Sequence, residues 1–89
     1  MAHLMVQHPV KDIATWKEGF DSAAGVRTDS GVRSTHVFQE ADDPNMVNVL
    51  LEWDSLQQAR EFADSPRLKE AMGRYGVQGA PCFYFLMEA

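Results

Sequence analysis

The sequence predicts one α+β domain with the element order β-α-β-β-α-β. Two observations predict it: strand-like and helix-like apolar stretches alternate along the chain, and turn-forming residues separate them. The length of the chain supports the same prediction, because 89 residues are enough for a single domain. Apolar residues make up 45% and charged residues 24%, which is typical of a globular domain over residues 1–89 and not of a disordered chain.

The first part of the chain predicts a strand followed by a helix. Leu4–Pro9 is short, apolar and ended by a proline, as expected of a strand. Asp12 is a suitable N-cap for a helix over 13–29, in which apolar residues recur at helical spacing. Gly31 is expected to end that helix, because glycine readily adopts the left-handed conformation common there.

The middle of the chain predicts an antiparallel hairpin. Val32–Glu40 and Met46–Trp53 have the composition of β-strands, and the turn formers of Ala41–Asn45 separate them. The short connection favours direct pairing of the two strands.

The last part predicts a second helix and a final strand. Ser55 and Gln58 have the spacing of a capping box, which indicates a helix start. Ser65-Pro66 is expected to restart the helix, Gly76 to end it, and Cys82–Met87 to form the fourth strand. Right-handed crossovers then predict a ferredoxin-like sheet of order 4-1-3-2 with both helices on one face. The alternative is another two-layer α+β arrangement.

Apolar side chains occupy both faces of this predicted sheet. In the last strand, Cys82, Tyr84 and Leu86 alternate with Phe83, Phe85 and Met87. Two helices cover only one face, and an exposed face of this kind is larger than monomers usually tolerate. The sequence therefore predicts a homodimer in which the uncovered faces pack together.

Charge and composition exclude several classes of partner and location. The net charge of −5 and the pI near 4.9 argue against nucleic acid or anionic membrane as a partner. Cys82 is the single cysteine, which is typical of the reducing cytoplasm. No stretch predicts a transmembrane helix or signal peptide, so we expect a cytoplasmic protein.

Two stretches carry a resemblance to a known family. Asp12–Lys17 opens the first helix and Leu51–Ser55 runs from strand into helix. Together with the element order, they resemble the dimeric α+β barrel superfamily, and within it the antibiotic-biosynthesis-monooxygenase-like (ABM-like) proteins. The resemblance implies a homodimer, a pocket between sheet and helices, and a cofactor-independent monooxygenase or isomerase acting on a small aromatic or polyketide-like molecule.

No metal or cofactor is predicted. Cys82 has no CxxC partner, and neither helix carries paired metal-binding residues. The haem-degrading members of the superfamily hold iron through a histidine late in the second helix and carry a tryptophan earlier in it. The corresponding positions here are Met72 and Phe62, so haem degradation is not expected.

Four residues are candidates for catalysis. His36, inside the second strand, and His8, at the end of the first, are candidate general bases, because the unperturbed histidine pKa near 6.5 suits proton abstraction at neutral pH. Tyr84 and Asn48 are candidate donors to a phenolate or enolate oxygen. Each could equally be an inert hydrogen-bonded group. The parity of the hairpin loop decides whether His36 and Asn48 share a face of the sheet.

Four further residues are candidate walls of a substrate slot: Trp16, Phe20, Phe62 and Met72. Flat aromatic surfaces commonly line ligand pockets, although side chains at this spacing also build ordinary cores. Two other functions stay open: a homodimer that binds a small hydrophobic or aromatic ligand without turnover, and a structural dimer whose cavity is filled.

Overall fold

A computed structural model describes residues 1–89 as four strands and four helices. In chain order they are β1 (Ala2–Pro9), α1 (Ile13–Ser22), α2 (Ala24–Asp29), β2 (Ser34–Glu40), β3 (Asp43–Trp53), α3 (Leu56–Ala63), α4 (Pro66–Arg74) and β4 (Cys82–Met87). None of the helices has the length and apolar character needed to cross a membrane.

The strands form one antiparallel sheet in the order β2-β3-β1-β4. Read from the other edge, this is the predicted order 4-1-3-2, so the ferredoxin-like fold is confirmed. All four helices pack on one face of the sheet, where alternate residues of β1 and β3 are buried. The centre of this layer is formed by Leu4, Leu51 and Trp53, which have almost no exposed surface.

The predicted helix over 13–29 is wrong in one respect, because it is divided at Ala23 into α1 and α2. The Ala23 N–H is shared between the carbonyl oxygens of Gly19 and Phe20, at 3.1 and 3.2 Å. Arg27 Nη1 also donates to the Phe20 carbonyl, at 2.7 Å. The tighter turn and this side-chain contact together bend the chain and bring Arg27 back over Phe20.

The predicted helix boundaries at Asp12, Ser55 and Gly31 are confirmed, whereas Ser65 precedes α4 without making the predicted side-chain cap. The Asp12 carboxylate accepts a hydrogen bond from the Thr15 N–H at 3.1 Å, which makes it the N-cap of α1. Ser55 and Gln58 form the predicted capping box at the start of α3. Gly31, with a φ of 99°, follows α2 in the left-handed conformation.

The hairpin turn is shorter than the sequence suggests. β3 begins at Asp43, so only Ala41 and Asp42 separate it from β2. The pairing then shifts between Gln39, opposite Val47, and Glu40, opposite Asp43. This irregularity places the extra residues of β3 outside the regular ladder.

One face of the sheet is left without a helix, and we refer to it as the open face. Its residues are His3, Met5, Gln7, Ser34, His36, Phe38, Asn48, Leu50, Glu52, Cys82, Tyr84 and Leu86. Phe38, Tyr84 and Leu86 are 51%, 47% and 44% exposed. The prediction that apolar side chains extend to both faces is thus confirmed.

The two helical pairs meet where α1 approaches the end of α4. The ring of Tyr75 lies directly over Gly19, and a Cβ at position 19 would overlap the ring atoms. This close approach requires glycine, because either the ring or the helix would otherwise have to move.

We expect Gly19→Ala to lower the free energy of unfolding by about 1–3 kcal/mol, measured by urea denaturation. The loss would occur although alanine is intrinsically the better helix residue by about 1 kcal/mol. Gly25→Ala is the matched control, because a Cβ at position 25 meets nothing within 4 Å. A Gly19→Ala protein as stable as Gly25→Ala would contradict the packing of Tyr75 on α1.

Candidate functional site

A cavity of about 320 Å³ lies between the sheet and the helices. Its floor is formed by residues of β1 and β3: Val6, His8, Val49 and Leu51. One wall comes from α1 and α2, and the opposite wall from α3, α4 and Tyr75. This space is large enough for a small organic ligand.

His8 is the titratable group on the cavity floor. It alternates with Leu4 and Val6 on the helix-facing side of β1, and it is only 3% exposed. Its ring meets Trp16 edge-on, with 5.7 Å between ring centroids. The Nδ1 atom is buried without a hydrogen-bond partner.

Burial lowers the pKa of His8 below its ordinary value of 6.5, and the backbone of His8 and Pro9 opposes this shift only in part. Burial therefore favours the uncharged imidazole. A neutral imidazole has one nitrogen able to accept a proton, and Nδ1 makes no hydrogen bond within the protein.

Aromatic side chains form the wall next to His8. Trp16 and Phe20 are stacked, with ring centroids 4.9 Å apart and planes inclined by 25°. Phe62 and Met72 face this pair across the cavity. The two rings of α1 form an apolar part of the cavity wall, which a planar ligand can contact.

The other three predicted catalytic residues lie on the open face. His36 is opposite Leu50, and Asn48 accepts a hydrogen bond from the Gln7 side chain at 3.0 Å. Tyr84 is opposite Met5 and exposed. The pairing of β2 with β3 places His36 and Asn48 on the same face of the sheet, a point that the sequence alone left open.

The structure thus separates the predicted site residues into two groups. His8, Trp16, Phe20, Phe62 and Met72 line the cavity. His36, Asn48 and Tyr84 are on the other side of the sheet and do not line it, and their catalytic roles stay predictions.

Sequence reasoning missed several polar residues at the cavity mouth. Arg27 lies seven positions after Phe20, which is two helical turns, and this spacing could have indicated a shared face. Arg67 had the pattern of a solvated helix face, yet it lines the mouth of the cavity. Tyr75 continues an apolar stripe, and only the structure shows that it closes one end of the cavity over Gly19.

One cluster of potential metal ligands lies on and beside the open face. The ligand atoms of His3, Glu52 and Glu88 are within 4.8 Å of one another. Glu52 is contacted by His3 Nε2 at 3.5 Å and accepts a hydrogen bond from the Ser34 hydroxyl at 3.4 Å. These contacts account for its position without a cation.

The sequence model of the antibiotic biosynthesis monooxygenase family matches residues 1–74, which covers the cavity floor and most of its walls. Among functionally curated proteins, none matches the chain in sequence.

Several solved structures are similar to this one. A Bordetella bronchiseptica protein assigned to the antibiotic biosynthesis monooxygenases has a TM-score of 0.84 at 12% identity, over 99% of this chain and 96% of its own. The monooxygenase ActVA-Orf6 of Streptomyces coelicolor, solved with nanaomycin D, has a TM-score of 0.72 at 26% identity, over 99% and 87%. SnoaB of Streptomyces nogalater, a cofactor-independent oxygenase, has a TM-score of 0.76 at 13% identity, over 98% and 91%.

Proposed function

The chain belongs to the antibiotic biosynthesis monooxygenase family, and from this we propose that it is a cofactor-independent monooxygenase of a small aromatic or polyketide-like molecule bound in the cavity. The observation that carries the proposal is a buried His8 beside the stacked rings of Trp16 and Phe20. The names of the Streptomyces proteins, one an oxygenase without cofactor and one a monooxygenase, agree in reaction class.

The proposed mechanism assigns proton abstraction to His8. An anthrone or quinol has an acidic C–H or O–H bond, and the neutral imidazole takes that proton to leave an electron-rich carbanion or phenolate. This anion donates electrons to molecular oxygen, so the substrate is its own reductant. For an anthrone the balance is one anthrone and one O₂ giving one anthraquinone and one water.

The cavity walls support this chemistry by position and by excluding water. Trp16 and Phe20 would contact the ring system near His8, while Phe62 and Met72 would line the cavity around it. An apolar surrounding protects the reactive anion from protonation by solvent. An isomerase would use the same first step and return the proton to a different carbon, without consuming oxygen.

A second candidate function is ligand binding without turnover. It is favoured by the fact that His8 is the one titratable side chain buried at the floor, while the arginines and the glutamate of the cavity lie toward its mouth. No acid–base pair is built there, so a dimer that stores or delivers an aromatic molecule would need no further residue.

We also propose that the open face packs against a second copy of the chain. Met5, Leu50 and Tyr84 form one row across three strands, and Phe38 and Leu86 extend the apolar surface on either side. Burial of exposed apolar area stabilises association by about 25 cal/mol per Å² before the cost of ordering is subtracted. A two-fold axis through this face would cover both copies at once.

Oxygen uptake with the anthrone dithranol tests the enzymatic proposal. We expect the protein to accelerate oxygen consumption and formation of the corresponding anthraquinone above the spontaneous rate, in the presence of a metal chelator. Bound dithranol without acceleration would favour the binding function instead. Absence of both binding and turnover would count against each of them.

A further inference from the structure

The charge at the cavity mouth is opposite in sign to the charge of the whole chain. The protein carries a net charge of −5. The cavity, however, is lined by Arg27, Arg67 and Arg74 against a single acidic residue, Glu70. Arg74 is already paired with Glu70 at 2.9 Å, which leaves Arg27 and Arg67 without a carboxylate partner.

Arg27 is the most firmly placed of these cations. Its guanidinium lies 3.6 Å from the centroid of the Phe20 ring, and Nη1 donates to the Phe20 carbonyl at 2.7 Å. The side chain is half-buried, and no carboxylate lies within 4.0 Å of it. The nearby Asp21 is instead held by Lys17, at 2.8 and 3.0 Å.

A half-buried cation with no carboxylate in contact, and with only the more distant charge of Asp21 to offset its burial, gains from a bound anion. Burial lowers the pKa of Arg27, although the guanidinium stays charged at neutral pH. One of its five N–H groups is used by the Phe20 carbonyl, and no other side chain or backbone acceptor engages the rest. A planar guanidinium stacked on an aromatic ring can therefore present its free edge to a carboxylate.

We propose that the cavity selects an aromatic molecule that carries a carboxylate, with the carboxylate bound by Arg27 and the ring system beside Trp16 and Phe20. Arg67 adds positive charge at the entrance and attracts the anion without fixing its orientation. This inference rests on the proposed function only in using the same cavity, since it concerns what is bound and not whether it is oxidised.

Binding of two matched probes tests the inference: anthraquinone-2-carboxylate and its neutral carboxamide, titrated calorimetrically into the full-length protein at low salt. We expect the carboxylate to bind about 10- to 100-fold more tightly, because hydrogen bonds to a charged group are the stronger ones. Arg27→Gln is expected to remove this preference, so that the carboxylate and the carboxamide bind with affinities within about threefold of each other. Arg33→Gln, the same charge change at an exposed arginine paired with Asp54, is expected to keep it.

Arg27→Lys tests whether the loss of the carboxylate preference in Arg27→Gln arises only because Phe20 is disturbed. It keeps the charge but not the planar fork, so we expect an intermediate preference for the carboxylate. Equal binding of both probes to the unaltered protein would overturn the selection of an anion while leaving the cavity as a ligand site. An unchanged preference for the carboxylate in Arg27→Gln would also overturn the selection of an anion by Arg27. Failure of both probes to bind would overturn the cavity as a ligand site as well.

Discussion

His8→Gln is expected to slow dithranol oxidation by about 10²- to 10⁴-fold, which is the usual contribution of a general base. Glutamine fills a similar volume and keeps polar atoms at the cavity floor, but it cannot accept a proton at neutral pH. The rate is measured as oxygen consumption, and the fold is checked by circular dichroism. The His8 ring packs edge-on against Trp16. Retention of the native circular dichroism signal of Trp16 therefore shows that this part of the cavity wall is intact.

The pH profile should identify the same group. Burial lowers the pKa of His8, so its uncharged form persists to lower pH than that of an exposed histidine. We expect kcat/KM to fall on the acidic side with a midpoint below the ordinary histidine pKa of 6.5, and this acidic limb to be lost in His8→Gln. A limb above pH 6.5 would contradict an uncharged, buried base.

His36→Gln is the matched substitution of the other candidate base. His36 lies on the open face, separated from the cavity by the sheet, and its ring is stacked on Phe38. We expect most of the activity to remain in this variant. A loss in His36→Gln together with full activity in His8→Gln would assign the base to the open face instead.

Leu50→Lys is expected to convert the proposed dimer into a monomer. Leu50 is central on the open face, between His36 and Met5, so a lysine there would be buried without a partner in the interface. The expected cost is about 2 kcal/mol or more, which raises the dissociation constant of the dimer roughly 30-fold or more. Sedimentation velocity at micromolar concentration measures it.

Ala24→Lys provides the control for this experiment. It introduces the same charge on α2, at an exposed position on the helical side of the sheet. We expect it to sediment as a dimer like the unaltered protein. A monomer in the unaltered protein itself would contradict the packing of the open face on a second copy.

The sequence was sufficient to predict the fold because its local signals agree with one another. The capping box of Ser55 and Gln58, the N-cap Asp12 and the strand Cys82–Met87 all occur where the residue pattern indicates them. The break at Ala23 was not predictable in the same way. It depends on the Arg27 guanidinium reaching the Phe20 carbonyl, which is a tertiary contact between side chain and backbone.

The site was only partly predictable, for a similar reason. Alternation along β1 is enough to place His8 on the face of Leu4 and Val6. His36 could not be assigned to a face, because its orientation depends on the hairpin register, and the pairing shift near Glu40 is not visible in the sequence. Arg27 was overlooked because a charged residue near a helix end is normally read as solvated.

The most direct test of the cavity as the ligand site is a ¹H–¹⁵N correlation spectrum recorded with and without anthraquinone-2-carboxylate. The chain contains two tryptophans: Trp16 lines the cavity, whereas Trp53 is fully buried and does not. We predict that the ligand shifts the indole N–H signal of Trp16 and the ring signals of His8, with a much smaller change at Trp53. Shifts confined to Phe38, Tyr84 and their neighbours on the open face would contradict the cavity as the ligand site.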